Sequence, residues 1–377
     1  MVEDAVAFLS GSPHRCLRWT ACPVGAVTMT AETPASLGYR LAAEWEPQEA
    51  VWLSWPHRLA TWPDHFEPIP DVFALVARRI AATGQPVKIV ATGEPLRQAR
   101  QMLGEVAGVG FVDLPTNDSW LRDSGPVFLV PQAGVTGLPA AAVAFGYNAW
   151  GGKYPPWNDD AALGRRLAES LGMRVFPGRI VLEGGAIDTD GGGTLLVNRH
   201  CVVDERRNPG VSAKQVEAVL REQLAVEQVI WTGGELAGDD TDGHIDQLAR
   251  FVAPRCVLAA RQPDPLDPNH RSLAENLAIL AGARDAAGRP LEVVPVDLPA
   301  RFARHGTQLP ASSLNFLITN AAVLVPVFGD PADEPALRTI EACFPGRSLE
   351  PVDCRDLVWG RGAVHCITRD QPRWPAG

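Results

Sequence analysis

The sequence predicts an α/β protein assembled from repeated ββαβ units, and three observations carry that expectation. Amphipathic helices begin near residues 71, 159, 212, 271 and 334, the last four in steps of 53, 59 and 63 residues. Each is preceded by a pair of β-type segments and followed by one, and self-similarity at such a period marks supersecondary units that bury their faces against neighbours. A polar residue also recurs in the first strand of each unit: Asp123, Glu183, His244, Asn315 and Cys366. Five such units in a ring bring those strand ends to one axis. The competing arrangement is an ordinary α/β sheet whose polar strand ends are unrelated, and the period leans to the ring.

Taken in order, residues 49–55 read as a strand closed by Pro56, and 71–83 as a helix with Val72, Leu75, Val76 and Ile80 at helical spacing and Gly84 behind it. A strand at 87–91, a helix at 96–103 and a strand at 108–114 follow. The polar run 117–126 precedes strands at 127–130 and 141–145, a helix at 159–171, and strands at 179–183 and 194–198. Ser212 with Gln215 three residues on is a capping-box pattern that opens the next helix. Strands are expected at 228–231, 244–251 and 256–260, a helix at 271–280, strands at 291–296, 314–319 and 322–327, a helix at 334–343, and a last strand at 363–368.

Of 377 residues, 46% are hydrophobic and 21% charged, enough to bury a sizeable core. A formal net charge of -10 argues against nucleic acid or an anionic membrane as partner. No apolar run approaches the roughly 20 residues that span a bilayer. Seven cysteines, an odd number without paired spacing, read as reduced thiols in a cytoplasm. Residues 1–37 lack periodicity and mix Pro, Thr and Ala with isolated Cys, which predicts a disordered tail. The apolar piece 5–9 is too short for a signal sequence. One domain over 38–377 remains, with a homo-oligomer left open.

Two stretches carry chemistry. In Trp359-Gly-Arg-Gly-Ala-Val-His-Cys-Ile-Thr368 the glycines mark a tight turn before the strand. Alternation then puts Cys366 on one face and His365 on the other, so a nucleophilic Cys366 needs a histidine from elsewhere. On this stretch alone Cys366 reads as a small buried apolar residue. His244-Ile-Asp246 has period two, which in a strand places imidazole and carboxylate on one face. Metal binding ranks below an acid–base role, because no second histidine or cysteine stands at ligand spacing. Asp123, Glu183 and Asp246 as lining would repel an oxyanion and hold a planar cation by paired hydrogen bonds. A guanidinium fits best.

Seven motifs then give the chain a likeness: Glu44-Trp-Glu-Pro; Asn117-Asp-Ser-Trp-Leu-Arg-Asp-Ser-Gly-Pro126; Phe145-Gly-Tyr-Asn-Ala-Trp-Gly-Gly-Lys-Tyr154; Leu182-Glu-Gly-Gly185; Gly238-Asp-Asp-Thr-Asp-Gly-His-Ile-Asp246; Phe328-Gly-Asp-Pro331; and His365-Cys-Ile-Thr368. From about residue 39 to 372 the sequence resembles the agmatine deiminases, which belong with the bacterial-type peptidylarginine deiminases in the guanidine-modifying superfamily. The resemblance implies a five-bladed α/β-propeller and hydrolysis of agmatine to N-carbamoylputrescine and ammonia, without metal or cofactor. By matching motifs it implies Cys366 as nucleophile, His244 as general acid and base, and Asp123 and Asp246 as a guanidinium clamp. Glu183 would bind the guanidinium and orient His244, and Trp120 would line the substrate channel.

The chain departs from the family at Gly360-Arg-Gly-Ala-Val-His-Cys366, where Gly-Gly-Gly-Asn-Ile-His-Cys is usual, and at Ser312-Ser-Leu-Asn-Phe316, where Ser-Tyr-Val-Asn-Phe is usual. These surroundings bear on the substrate tail. Arg361 near the channel would favour a tail bearing a carboxylate, although an arginine in a turn more often points to solvent. The alternatives are therefore another guanidino substrate, such as arginine or peptidyl-arginine, and, from another class, a non-catalytic propeller that binds a partner. Patterned sequence begins only near Tyr39, and Met29 precedes it. A protein beginning at Met29 is expected to keep fold and turnover, checked by circular dichroism and ammonia release; a folded but inactive truncation would show that the tail reaches the site.

Overall fold

The structure, a computed structural model, describes residues 32–300 and 302–374. Five of its sheets share one plan: a first strand lies antiparallel to a second, which crosses through a helix to a third that runs parallel to it. The helical crossover is what a parallel neighbour requires. Val127–Pro131, Ala141–Gly146 and Arg174–Val181 make one sheet, edged by Tyr39–Leu41. Ile187–Thr189, Thr194–Asn198 and Gln228–Thr232 make the next, and Ala249–Ala253, Cys256–Arg261 and Glu292–Asp297 the one after. Leu317–Ile318, Ala322–Val327 and Ser348–Asp353 form the fourth. The last sheet joins the two ends of the fold: Thr368–Pro372 pairs antiparallel with Gln48–Ser54, followed by Val87–Ala91 and Val109–Asp113 in parallel. A small hairpin, Ala303–Arg304 with Thr307–Gln308, stands outside this plan.

Local sequence explains the crossovers. Ser212 caps Ala213–Leu224 through the reciprocal bonds with Gln215, and Val216, Leu220 and Leu224 bury one face at intervals of four. Ile69–Ala82 starts two residues before expected, because Pro70 suits a first helical turn. Its buried stripe is Phe73, Val76, Ala77 and Ile80, whereas Leu75, expected on that face, is exposed. Each large apolar side chain so buried contributes about 1.5–3 kcal/mol.

The tail expected over 1–37 ends earlier than its bound. Ala35–Leu37 already forms a turn, with Ser36 and Thr33 exchanging side-chain bonds and Gly38 in the left-handed region; residues 1–31 of that tail lie outside the described residues.

Three of the differences from the expected strands share one pattern. The strand expected at 244–251 begins only at Ala249, that at 314–319 shrinks to Leu317–Ile318, and that at 363–368 is a turn, with Thr368–Pro372 as the strand. Asp123, Glu183, His244, Asn315 and Cys366 therefore stand in the turns just ahead of the five first strands. Arg174–Val181 runs earlier than the expected 179–183, since Pro177 and Gly178 disguise it; a Cβ on Gly178 would lie 2.3 Å from the Cα of Phe145.

These turns bond to one another. Arg122 N–H donates to Cys366 O (3.2 Å) and His365 N–H to Asn315 O (3.0 Å). Ser312 Oγ donates to Gln247 O (2.8 Å), Phe251 N–H to Asp188 Oδ1 (2.9 Å) and Gly185 N–H to Asp123 Oδ1 (2.9 Å). Arg250, fully buried, ties three sheets together. Its Nε donates to Asp188 Oδ2 (2.6 Å), Nη2 to Glu44 Oε2 (3.0 Å) and Nη1 to Phe316 O (2.7 Å), with the guanidinium over the Phe316 ring. Removing one partner of a buried charge group typically costs about 3–5 kcal/mol. Arg250→Ala should lower the stability read from a urea midpoint by about that amount. Arg250→Lys, whose point charge cannot reach three directions, should recover only part. An alanine variant as stable as the wild type would mean that this tie does not hold the sheets.

Candidate active site

Cys366 sits in the turn closed by Thr368 N–H to His365 O (3.1 Å), only 4% exposed, between the apolar core and the polar turns. The expected positive φ at Gly360 and Gly362 is absent; Arg361 takes the left-handed conformation instead (φ 72°). The glycines serve close approach. A Cβ on Gly360 would meet the Trp62 ring at 2.7 Å, and one on Gly362 would meet Trp120 at 2.5 Å and the Cys366 Cβ at 2.9 Å. Trp120, stacked on Trp62 with centroids 5.4 Å apart, thus lies against the turn that holds the thiol.

The side chains singled out in the sequence converge on this thiol. Asn315 Nδ2 is 3.2 Å from Cys366 Sγ, and Asp246 Oδ2 is 3.8 Å from it. His244 Nδ1 lies 3.7 Å from Asp123 Oδ1. The space they share is marked by Gly185, where an added Cβ would stand 2.7 Å from His244 Nδ1 and 2.9 Å from both Asp123 Oδ1 and Asp246 Oδ2. Strand alternation does not bring His244 and Asp246 together as expected: His244 is extended and Ile245–Gln247 is a single 3-10 turn.

Each carboxylate is supported from behind. Glu183, fully buried, accepts Arg207 Nε at Oε1 (2.7 Å), and Arg207 is held in turn by Asp242 Oδ2 and Thr241 O (2.7 Å each). Asp123 accepts Gly185 N–H at Oδ1 and Trp150 Nε1 at Oδ2 (2.9 Å each). Asp246 Oδ2 bonds His365 Nδ1 (2.7 Å). Four buried atoms here have no hydrogen-bond partner among the described residues: Glu183 Oε2, Asp246 Oδ1 and both ring nitrogens of His244. Buried polar atoms are nearly always satisfied, so a cluster of orphans marks where something else belongs.

The electrostatics follow from the packing. Burial, then Asp246 and Asp123, push the Cys366 thiol well above its ordinary range. Burial favours the neutral imidazole of His244, yet Asp123, Glu183 and Asp246 outweigh it and raise its pKa. Burial raises Asp123, with Asp246 and Glu183 adding to it against His244. Burial also acts on Asp246, but the His365 bond and neighbouring cations overcome it and keep that carboxyl below the usual range. Burial and the neighbouring carboxylates thus act together to favour the protonated form of the thiol.

Sequence reasoning gave no role to Arg207, Trp150 or Glu44. Trp150 and Glu44 lie in two of the quoted motifs, whereas Arg207 carries no local signal. Arg361, expected near the channel, donates through Nη1 to Gly238 O (2.7 Å), with Nε 3.6 Å from Asp240 Oδ2. Among the described residues no three His, Cys, Asp or Glu side chains are grouped to hold a metal ion, and no helix is long and apolar enough to cross a membrane.

Known proteins share this chain arrangement. The Porphyromonas-type peptidyl-arginine deiminase signature matches residues 40–372. The agmatine deiminase of Stutzerimonas stutzeri is 38% identical over 369 residues, covering 92% of this chain and 99% of its own, and that of Pseudomonas aeruginosa is 36% identical over 363 residues, covering 90% and 97%. The solved agmatine deiminase of Enterococcus faecalis superposes with a TM-score of 0.85 at 32% identity over 92% of this chain and 99% of that one. A substrate-bound variant of the C. jejuni agmatine deiminase, carrying a cysteine-to-serine substitution, gives 0.81 at 27% identity over 89% and 97%. With the matched signature and relatives spanning almost the whole chain, the protein belongs to the Porphyromonas-type peptidyl-arginine deiminase family, a family of mixed α/β enzymes.

Proposed function

We propose that the protein hydrolyses agmatine to N-carbamoylputrescine and ammonia through a covalent intermediate on Cys366. The observation that carries this reading is a pair of buried carboxylate oxygens without partners, Glu183 Oε2 and Asp246 Oδ1, both beside the His244 ring, with Asp246 Oδ2 3.8 Å from the Cys366 thiol. A guanidinium is planar, cationic and rich in N–H donors, and it matches such acceptors where an anion or a neutral amide does not. The curated relatives and solved structures named as agmatine deiminases support agmatine as the substrate.

In this reading Asp123 and Asp246 clamp the guanidinium, and Glu183 binds it and orients His244. Trp120 lines the approach. The Cys366 thiolate attacks the central carbon, an S–C bond forms, and one C–N bond breaks as His244 gives its proton to the departing ammonia. Water then adds to the amidino-thioether carbon and yields a proton to His244. The C–S bond breaks, the remaining hydroxyl proton passes to the released ammonia, and the thiolate and a carbamoyl product remain. The substrate helps to make its own nucleophile, because its charge offsets the carboxylates that hold the thiol proton on. We further read the five sheets as blades about a pseudo-fivefold axis, a reading supported by the bonds that link their turns. The described cysteines are all free, which supports a cytoplasmic setting.

Ammonia release from agmatine, arginine and a peptidyl-arginine, by wild type and Cys366→Ala, tests the assignment. Agmatine should be the best substrate. The alanine variant should be folded, bind agmatine and turn none over. A folded Cys366→Ala protein that still releases ammonia would falsify the covalent route. Because Arg361 is engaged by Asp240, Arg361→Gly should change the agmatine-to-arginine ratio of kcat/KM by no more than about threefold, the scale of a partly exposed ion pair. A tenfold gain for agmatine would give Arg361 the selecting role that its position in the sequence suggested.

The raised thiol pKa sets a pH dependence. Thiolate accumulates only as pH climbs toward that raised value, so the iodoacetamide inactivation rate should keep increasing above pH 8. A cationic amidine alkylator should inactivate far faster than iodoacetamide. A rate plateau below pH 7 would mean that the thiolate exists before substrate arrives.

A further inference from the structure

The sequence placed His365 on the far side of its strand, without a part in chemistry. Its surroundings say otherwise. The ring, only 3% exposed, lies between two carboxylates: Nδ1 is 2.7 Å from Asp246 Oδ2 and Nε2 is 2.7 Å from Glu44 Oε2. With a carboxylate oxygen at hydrogen-bond distance from each nitrogen, the ring bridges two acceptors, Asp246 and Glu44. Glu44 is fixed in turn by Arg250 Nη2 at the same oxygen (3.0 Å) and by Ile318 N–H at Oε1 (2.7 Å).

We propose that His365 is a positioning residue: anchored on Glu44, it takes one oxygen of Asp246 and so presents the other to the substrate while screening the thiol from that carboxylate. Three observations support it. The oxygen that His365 takes, Oδ2, is the one nearest Cys366 Sγ, at 3.8 Å. The oxygen it leaves, Oδ1, is buried without a partner and available to a guanidinium. The neighbouring backbone ties the ring to the nucleophile, since His365 N–H donates to Asn315 O while Cys366 N–H lies 3.3 Å from Asn315 Oδ1. The anchor Glu44 reaches the site from an unrelated part of the chain, 321 residues away. Asp246 is thereby held at both oxygens, by substrate at Oδ1 and by His365 at Oδ2.

This inference rests on the reading of Cys366 as nucleophile and Asp246 as clamp, and a set of His365 variants separates the two. In His365→Asn the amide nitrogen stands about where Nδ1 stood and can still donate to Asp246. In His365→Gln the longer amide reaches toward Glu44 and leaves Asp246 free. Misplacing a reacting group by about 1 Å costs on the order of 10²-fold, and that is the loss in kcat/KM expected for His365→Ala and His365→Gln. His365→Asn should recover at least a tenth of wild-type kcat/KM. The iodoacetamide rate at fixed pH should fall in the alanine variant. There the thiol faces Asp246 unscreened, with Asp123, Glu183 and His244 unchanged around it.

A residue that merely filled space would give a different pattern. Asn and Gln would then follow thermal stability alike, and a loosened pocket would alkylate faster. Wild-type kcat/KM in His365→Ala, glutamine equal to asparagine, or faster alkylation would each overturn the proposal. If the alanine variant does not fold, the asparagine and glutamine pair decides alone. Turnover by Cys366→Ala would instead remove the reading beneath it, whatever the His365 series gives.

Discussion

The carboxylates of Asp123, Glu183 and Asp246 lie buried around the His244 ring, two of them near the Cys366 thiol, and much of the structure is arranged so that this can persist. Burying an isolated carboxylate is too costly to survive without a partner. Here each has a donor of its own: Arg207 for Glu183, His365 for Asp246, and the Trp150 indole with the Gly185 amide for Asp123. Those donors come from different sheets. The pocket therefore exists only when several units are in place together, and the bonds linking their turns serve fold and site alike.

Such a pocket remains incomplete without substrate. Donors behind the carboxylates lower their cost but leave the facing oxygens bare, and the His244 ring has no partner at either nitrogen. A buried polar network that is only partly satisfied is costly to the fold. The cost is the counterpart of recognition, because a guanidinium supplies the missing donors and charge in one step. In a site excluded from water those contacts act at low dielectric, where they are stronger than in solution. An analogue without the N–H groups would leave the orphans unpaired, which gives discrimination without elaborate shape.

What the sequence disclosed and what it hid divide along physical lines. The crossover helices were readable because apolar spacing at 3.6 residues is local, as Val216, Leu220 and Leu224 show. The recurrence of Asp123, Glu183, His244, Asn315 and Cys366 singled out residues that stand in the turns ahead of the five first strands, but their setting was misread as strand. Short turns such as Ile245–Gln247 carry β-branched and polar residues that mimic strand alternation. Gly360 and Gly362 looked like residues needed for positive φ, whereas the tryptophans packed on them explain their lack of a side chain. Arg207 and Glu44 could not be assigned from pattern, since their partners lie 24 and up to 321 residues away. Periodicity reports faces; it does not report who stands opposite.

The place of Cys366, the nucleophile of the proposed function, ties that chemistry to closure of the fold. Cys366 stands two residues ahead of Thr368–Pro372, the strand that pairs with Gln48–Ser54 and brings the C-terminal end onto the first sheet. Trp52 Nε1 reaches Gln371 Oε1 across the same pair (2.8 Å), and Arg122 Nη1 holds Asp370 (2.7 Å) while its amide holds Cys366 O. Contacts between such distant segments require the intervening chain to be ordered first, since loop closure over that span is entropically costly. Asp123, Glu183 and Asp246 can approach one another through sheets already consecutive in sequence. The thiol cannot join them until the two ends of the fold meet. The Cys366 sulfur is thus set against Asp246 by the same strand pairing that completes the architecture, and loss of that pairing would remove both together.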